Sequence, residues 1–137
     1  MPSLVHSFIQ AKLIAILIQL SLYNVHSELT ININGKDYTP DIVLYPLQKI
    51  DLLDDVIKMS DLPLLAIEIL SPTQGTMEIT DKFKLYFEAG IQSCWLVQPA
   101  LQSILVCSSF HNRTTFSHGE FVDETLKICF PLENLFS

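Results

Sequence analysis

The sequence has few of the residues on which several common catalytic motifs depend. Only four of its 137 residues are glycine, and it contains neither a glycine-rich phosphate loop nor a Gly-x-Ser-x-Gly elbow. These absences exclude nucleotide hydrolysis by a phosphate loop and serine-hydrolase chemistry. Three histidines, His26, His111 and His118, are isolated from one another and from cysteine, so zinc-type spacing is missing. We expect these three histidines to lie in loops.

Basic residues are also scarce. Eight Lys and Arg against fifteen Asp and Glu give a net charge of −7. This charge disfavours wide, non-specific contact with phosphate backbones, because clustered Lys and Arg drive such contact. Any nucleic-acid binding is therefore expected to be local, aided by a metal ion, or supplied by a partner. The three cysteines, Cys94, Cys107 and Cys129, have apolar neighbours and are odd in number, which predicts reduced core thiols in a cytoplasmic protein.

The apolar segment 3–23 could be a membrane helix or a core helix. A spanning helix needs about 20 nearly uninterrupted apolar residues, whereas polar residues interrupt this run at His6, Gln10, Lys12 and Gln19. We predict a buried helix, capped by Ser3, that covers a sheet or a second subunit, and no membrane contact. A targeting segment, or a membrane-attached protein that uses this helix, is the alternative.

The remaining chain predicts one α/β domain. A length of 137 residues, 49% of them hydrophobic, suits one core and is too short for two, so we expect residues 1–137 to form a single domain. Residues 28–33 alternate as a strand does, and Asn34-Gly35 predicts a tight turn into a returning strand over 37–45. Segment 46–63 is predicted to be a loop with a helical turn at 52–59.

A second helix is predicted over residues 76–89, with Gly90 after its end. Further strands are expected after this helix, at 94–97, 103–107 and 113–116, followed by a short strand and a leucine-rich turn within 126–135. Strands, a helix and more strands indicate a mixed sheet with helices on its faces.

One apolar run of strand length, residues 64–72, carries a carboxylate in its middle, Glu68. A buried ionised carboxylate without a partner costs several kcal/mol, on the order of the desolvation penalty of a charge, so a cation or hydrogen bonds should accompany Glu68. Asp41 stands where another strand enters the core. Pro40 before it cannot donate a ladder hydrogen bond, which indicates an edge, a bulge or the start of that strand.

The second helix supplies a lysine beside these carboxylates. At about 100° per residue, its apolar face contains Ile79, Phe83, Tyr86 and Phe87, and its polar face contains Asp81, Lys84 and Glu88. Lys82 lies at the border of the apolar face, so we expect it to lean over the sheet toward Glu68, whereas Lys84 points at water.

Two carboxylates on neighbouring strands and a nearby lysine suit metal-aided phosphodiester hydrolysis. Hard oxygen ligands hold Mg²⁺, the ion acidifies a bound water and stabilises phosphoryl charge, and an ammonium group orients the nucleophile or the transition state. Because Asp, Glu and Lys are common, the alternative for each residue alone is a surface charge or a structural salt bridge.

Four segments in this order resemble the "putative restriction endonuclease" family within the PD-(D/E)XK nuclease superfamily: 39–41 (TPD), 66–72 (AIEILSP), 81–91 (DKFKLYFEAGI) and 95–97 (WLV). The resemblance covers residues 3–137. It implies a restriction-endonuclease-like α/β/α sandwich with a mixed central sheet, a divalent metal ion (Mg²⁺ or Mn²⁺), and hydrolysis of phosphodiester bonds in DNA.

The same resemblance assigns roles to individual residues. Asp41 matches the motif's aspartate and Glu68 its second acidic residue, and both would hold the metal ion, with the Ile69 carbonyl as a further ligand. The lysine usually found two positions after the acid is absent, because Leu70 stands there. In this family the lysine comes from the following helix, which identifies Lys82 as the residue that positions the attacking water.

The chain also departs from the family. Members usually carry a further helix and hairpin before the first segment present here, so we expect an N-terminally shortened chain, and Gln98 stands where aspartate is common. A non-catalytic member of the same fold, acting as a subunit or interaction domain, is therefore the alternative function. The uncovered apolar face of the first helix predicts a homodimer, and His6 is a candidate for the rim of the site.

Overall fold

The computed structural model describes residues 2–137, in which helices cover the two faces of a central sheet. The helices are α1 (Leu4–Leu20), α2 (Thr76–Ala89) and α3 (Glu133–Phe136), with a short 3-10 turn at Pro99–Leu101. The strands are β1 (Tyr23–Ser27), β2 (Thr30–Ile33), β3 (Lys36–Tyr38), β4 (Ile42–Pro46), β5 (Lys58–Met59), β6 (Leu65–Ile69), β7 (Ser93–Gln98), β8 (Ser103–Cys107), β9 (Arg113–Phe116), β10 (Glu120–Asp123) and β11 (Ile128–Pro131).

The central sheet has six strands in the order β1-β4-β6-β7-β8-β9. Only β6 and β7 run parallel, joined through α2, and the other neighbours are antiparallel. Two small sheets flank it, β3-β2-β5 and β10-β11. The sheet is therefore mixed, as the sequence predicted.

Successive residues of the buried strands face opposite sides of this sheet, and each side is covered by one long helix. On one side Leu13 of α1 belongs to the same apolar cluster as Ile67 and Trp95. On the other side Phe83 of α2 belongs to a second cluster with Ala66. Because β6 is buried on both faces, it has the nearly continuous apolar sequence of a central strand. The predicted α/β/α arrangement is confirmed.

Both long helices begin where the sequence indicated and α2 also ends there, whereas α1 ends at Leu20, before the expected residue 23. The Ser3 hydroxyl accepts a hydrogen bond from the backbone N–H of His6 at 3.1 Å and so caps α1. Helix α2 has the predicted bounds, and Gly90 follows it with a φ of 115°, a left-handed conformation that glycine adopts without strain. Within residues 2–137, neither α1 nor any other helix combines the length and hydropathy needed to cross a bilayer.

Several elements differ from the sequence-based expectations. Strand β1 was not predicted, since its polar sequence YNVHS lies half-buried at the edge of the sheet. The expected strand over 37–45 is two strands in different sheets, because Pro40 interrupts it. The predicted helical turn at 52–59 is wrong: this segment contains turns and β5, which pairs in parallel with β2. Strand β10 was also missed.

Candidate active site

Asp41 and Glu68 stand side by side on adjacent antiparallel strands. Ile42, the first residue of β4, pairs with Ile67 of β6, so the register places Asp41 opposite Glu68. Pro40 begins this segment and leaves the Asp41 carboxylate at the end of the strand. The backbone N–H of Ile69 donates to Asp41 Oδ2 at 2.7 Å, which fixes the carboxylate against β6.

Helix α1 holds Asp41 from the other side. His6 Nε2 lies 3.1 Å from Asp41 Oδ2, and Gln10 Nε2 donates to the Asp41 carbonyl at 3.0 Å. These two residues are one helical turn apart and therefore share a face of α1. His6, expected at the rim, is instead buried against Asp41. Its Nδ1 atom is buried and has no hydrogen-bond partner among the residues that the structure describes.

Glu68 is buried with little hydrogen-bonding support. Its side chain is 7% exposed, and Tyr86 OH donates to Oε2 at 3.2 Å. Burial, and after it the negative charge of Asp41, raise the pKa of Glu68 to about 7, while the Lys82 charge, the Tyr86 hydrogen bond and a backbone hydrogen bond from Asp41 act in the opposite direction.

The two lysines of α2 take the expected positions. Lys82 is half-buried, and its charge stabilises the ionised form of Glu68. No carboxylate oxygen of residues 2–137 lies within 4.0 Å of Lys82 Nζ. Lys84 is exposed, with its Nζ 5.9 Å from the centre of the Phe110 ring. The ammonium group of Lys82 is therefore near Glu68 without an ion-pair partner of its own among residues 2–137.

The donor set of this site fits a hard divalent cation. Asp41 Oδ1 accepts no hydrogen bond from residues 2–137 and remains free to bind a ligand. Within those residues no three or more His, Cys, Asp and Glu side chains form a metal-binding group. Two carboxylates are nevertheless the usual protein contribution to a Mg²⁺ site, in which the ion keeps several waters and binds substrate phosphates.

The remaining histidines and the cysteines lie outside the candidate site. His26 was expected in a loop, but it lies in β1 with its ring packed edge-on against Tyr45, and burial lowers its pKa. His111 and His118 are exposed in irregular segments, as expected. The three cysteines are free thiols; Cys94 and Cys107 are buried, whereas Cys129 is exposed on β11 and is not a core thiol.

The sequence analysis missed the contacts that two further residues, Gln10 and Tyr86, make with the site. Gln10 follows His6 by four residues, and that helical spacing was the available signal for a second contact from the same face. Tyr86 was recognised as part of the apolar face of α2, but its hydroxyl contact with Glu68 depends on how α2 lies across β6.

A mixed sheet between helices, with two carboxylates meeting where β4 begins and β6 ends, defines the class of protein as α/β with an acidic pair at the sheet. The model of the Uma2 family, described as "Putative restriction endonuclease", matches residues 1–128, and the chain belongs to this family. The resemblance inferred from the sequence segments is thereby confirmed.

A solved structure supports the same fold. The chain is similar to the crystal structure of "a putative nuclease belonging to DUF820" from Anabaena variabilis, with a TM-score of 0.85 and 21% sequence identity. The similarity covers 99% of this chain and 82% of that one. The comparison with curated proteins found no match.

Proposed function

We propose that this protein is an endonuclease that hydrolyses phosphodiester bonds in DNA with Mg²⁺ or Mn²⁺. Its family supports the nuclease class. The observation that carries the proposal is the pairing of two carboxylates: Glu68 is buried with one side-chain hydrogen bond, and the half-buried Asp41 opposite it keeps Oδ1 free. A cation between these groups would relieve both the burial of Glu68 and its repulsion from Asp41.

Each side chain has a distinct role in this proposal. Asp41 and Glu68 hold the metal ion, and the Ile69 carbonyl is a further ligand. The ion, when bound, supplies charge neutralisation at the scissile phosphate and a water of lowered pKa. The ammonium group of Lys82 orients the attacking water, and its position near Glu68 without an ion-pair partner supports that role.

Cleavage of supercoiled plasmid tests the role of Lys82. With Mg²⁺ or Mn²⁺ present, we expect Lys82→Ala to reduce the cleavage rate about 100-fold, the usual cost of removing one transition-state contact. Lys84→Ala is the matched control, since Lys84 lies on the same helix and faces water; its rate should equal that of the unmodified protein. Equal rates for Lys82→Ala and Lys84→Ala would remove Lys82 from the mechanism.

We also propose a homodimer that forms through the outer face of α1. Leu4 is 85% exposed and Phe8 is 59% exposed on this helix, and soluble monomers rarely leave such contiguous apolar surface uncovered. Light scattering at micromolar concentration should give twice the chain mass of 15.5 kDa. A mass of one chain would contradict the dimer.

The cellular setting and the domain organisation are proposed on similar grounds. Three free thiols in one small chain suit the reducing environment of the cytoplasm. The two apolar clusters share the central sheet, which supports one domain over residues 1–137. Limited proteolysis that releases a stable fragment ending within the central sheet would contradict the single domain.

A further inference from the structure

A pocket of about 630 Å³ opens beside the Asp41 side of the site. It lies between the start of α1 and the segments that follow β6 and β7. His6 belongs both to its wall and to the Asp41 contact, and Leu70 and Ser71 in the wall come directly after the strand that carries Glu68. The pocket therefore adjoins the proposed catalytic site and shares His6 with it.

Neutral polar groups and apolar side chains form the walls. No Lys, Arg, Asp or Glu of the described residues lines the pocket, whereas three glutamines do, Gln74, Gln98 and Gln102. Neutralisation by Lys and Arg supplies most of the affinity for phosphate groups. A wall without these residues lacks that attraction, and the pocket volume is that of a site for a small organic group.

Two of the glutamine side chains are held in fixed orientations. Gln74 Oε1 accepts from both the backbone N–H and the hydroxyl of Ser71, at 3.3 and 3.1 Å. Gln98 Oε1 accepts from the Ser103 hydroxyl at 3.0 Å. Both amide oxygens are therefore occupied, and neither amide nitrogen donates to an atom of residues 2–137. Both glutamines line the pocket and neither nitrogen is sealed from solvent, so two N–H₂ groups are free to donate to a ligand.

We propose that this pocket binds an unpaired nucleobase with carbonyl acceptors, thymine above all, from the strand that is cut at Asp41 and Glu68; this inference rests on the proposed nuclease function. Amide donors match the carbonyl oxygens of thymine, which has two, and adenine has none. The apolar walls, which include Pro72 and Pro99, cover the faces of the base. Because a base must leave the duplex to enter, single-stranded DNA is the preferred substrate class.

Binding of free nucleosides tests the pocket without any cleavage. We expect thymidine to shift the side-chain N–H₂ signals of Gln74 and Gln98 in NMR spectra, and to bind about fivefold more tightly than deoxyadenosine. Gln98→Met should weaken thymidine binding about fivefold, with Gln74→Met as a second variant should the first not fold. Gln92→Met is the matched control, because Gln92 is exposed and does not line the pocket.

The outcomes separate this inference from the proposed function. Equal binding of the two nucleosides, no shift at millimolar thymidine, or larger shifts of the same signals with inorganic phosphate would overturn the base assignment. The titration needs no metal and no bond cleavage, so thymidine binding in a protein that cuts no DNA would contradict the nuclease alone. Equal cleavage of thymidine and deoxyadenosine oligomers, unchanged by Gln98→Met, would overturn the pocket and leave the nuclease intact.

Discussion

Glu68 and Asp123 are both buried carboxylates, yet their surroundings differ. Asp123 is 1% exposed and accepts three hydrogen bonds, from the Ser93 hydroxyl at 2.6 Å, the Trp95 indole N–H at 2.8 Å and the Leu126 backbone N–H at 3.1 Å. Glu68 is 7% exposed and accepts one side-chain hydrogen bond, from a tyrosine at 3.2 Å, beside another acid.

This difference separates a structural carboxylate from a functional candidate. The three donors around Asp123 replace the water it loses, so the charge is compensated without a further ligand. Glu68 lacks such compensation, and burial raises its pKa to about 7. A buried acid therefore indicates a binding site only where its hydrogen bonding is incomplete, since burial alone is common to both residues.

The largest expected effect is on the compensated carboxylate. Asp123→Ala leaves three buried donors without an acceptor, and we expect the free energy of unfolding to fall by about 4 kcal/mol. Urea denaturation measures this change. Glu124→Ala is the control, because Glu124 is the exposed neighbour. A loss below about 1 kcal/mol would show that the donors find other partners and would weaken the contrast with Glu68.

Glu68→Gln is expected to stabilise the protein near neutral pH, in contrast to Asp123→Ala, because it removes a charge that burial disfavours. The pKa of Glu68 is about 7 in the folded protein and 4.5 ordinarily, so its favourable contribution is complete below pH 4.5 and is lost as pH rises through 7. We therefore compare the change in the free energy of unfolding that Glu68→Gln causes at two pH values without metal. This change should be about 3 kcal/mol more favourable at pH 8 than at pH 4.

Urea denaturation at both pH values measures that difference, and Glu88→Gln on the exposed face of α2 is the control. The same stability change at pH 4 and pH 8 would mean that Glu68 is not titrating near neutrality, and the contrast between the two carboxylates would disappear.

The smallest effect concerns metal binding. A cation binds the ionised form of Glu68, so below pH 7 each unit of acidification should weaken Mn²⁺ binding up to about tenfold, with little change above pH 8. Calorimetric titration across pH 5.5 to 8.5 measures this dependence. Asp123→Asn should leave the profile unchanged if it folds, because Asp123 lies outside the site. A flat profile for the unmodified protein would contradict the assignment of Glu68 as a ligand.

The sequence predicted the parts of the fold that have a clear periodicity. Helix α2 was correct in its bounds, because a 3.6-residue pattern and Gly90 mark them, and the same pattern separated Lys82 from Lys84. Asp41 and Glu68 were each identified because the carboxylate begins or interrupts an apolar strand, and these are local signals that neighbouring residues carry. Their joint role came from the family resemblance.

The features that were missed depend on contacts distant in sequence. Strand β1 is a polar edge strand, so it lacks the apolar alternation that marks a half-buried strand. The cluster around Asp123 joins residues about 30 positions apart, and nothing in residues 120–126 indicates which side chains from β7 will approach. His6 could be placed on a helix face, but its contact with Asp41 depends on how α1 packs against β4.

Helix α1 connects an exposed apolar surface to a proposed metal ligand. One face of the helix holds Asp41 twice, through its carboxylate and through its carbonyl, while Leu4 and Phe8 project from the same two turns toward solvent. A rigid helix moves as a unit, so a displacement of α1 would change both contacts together. A partner that binds the outer face of α1 and shifts the helix would therefore also shift the Asp41 carboxylate.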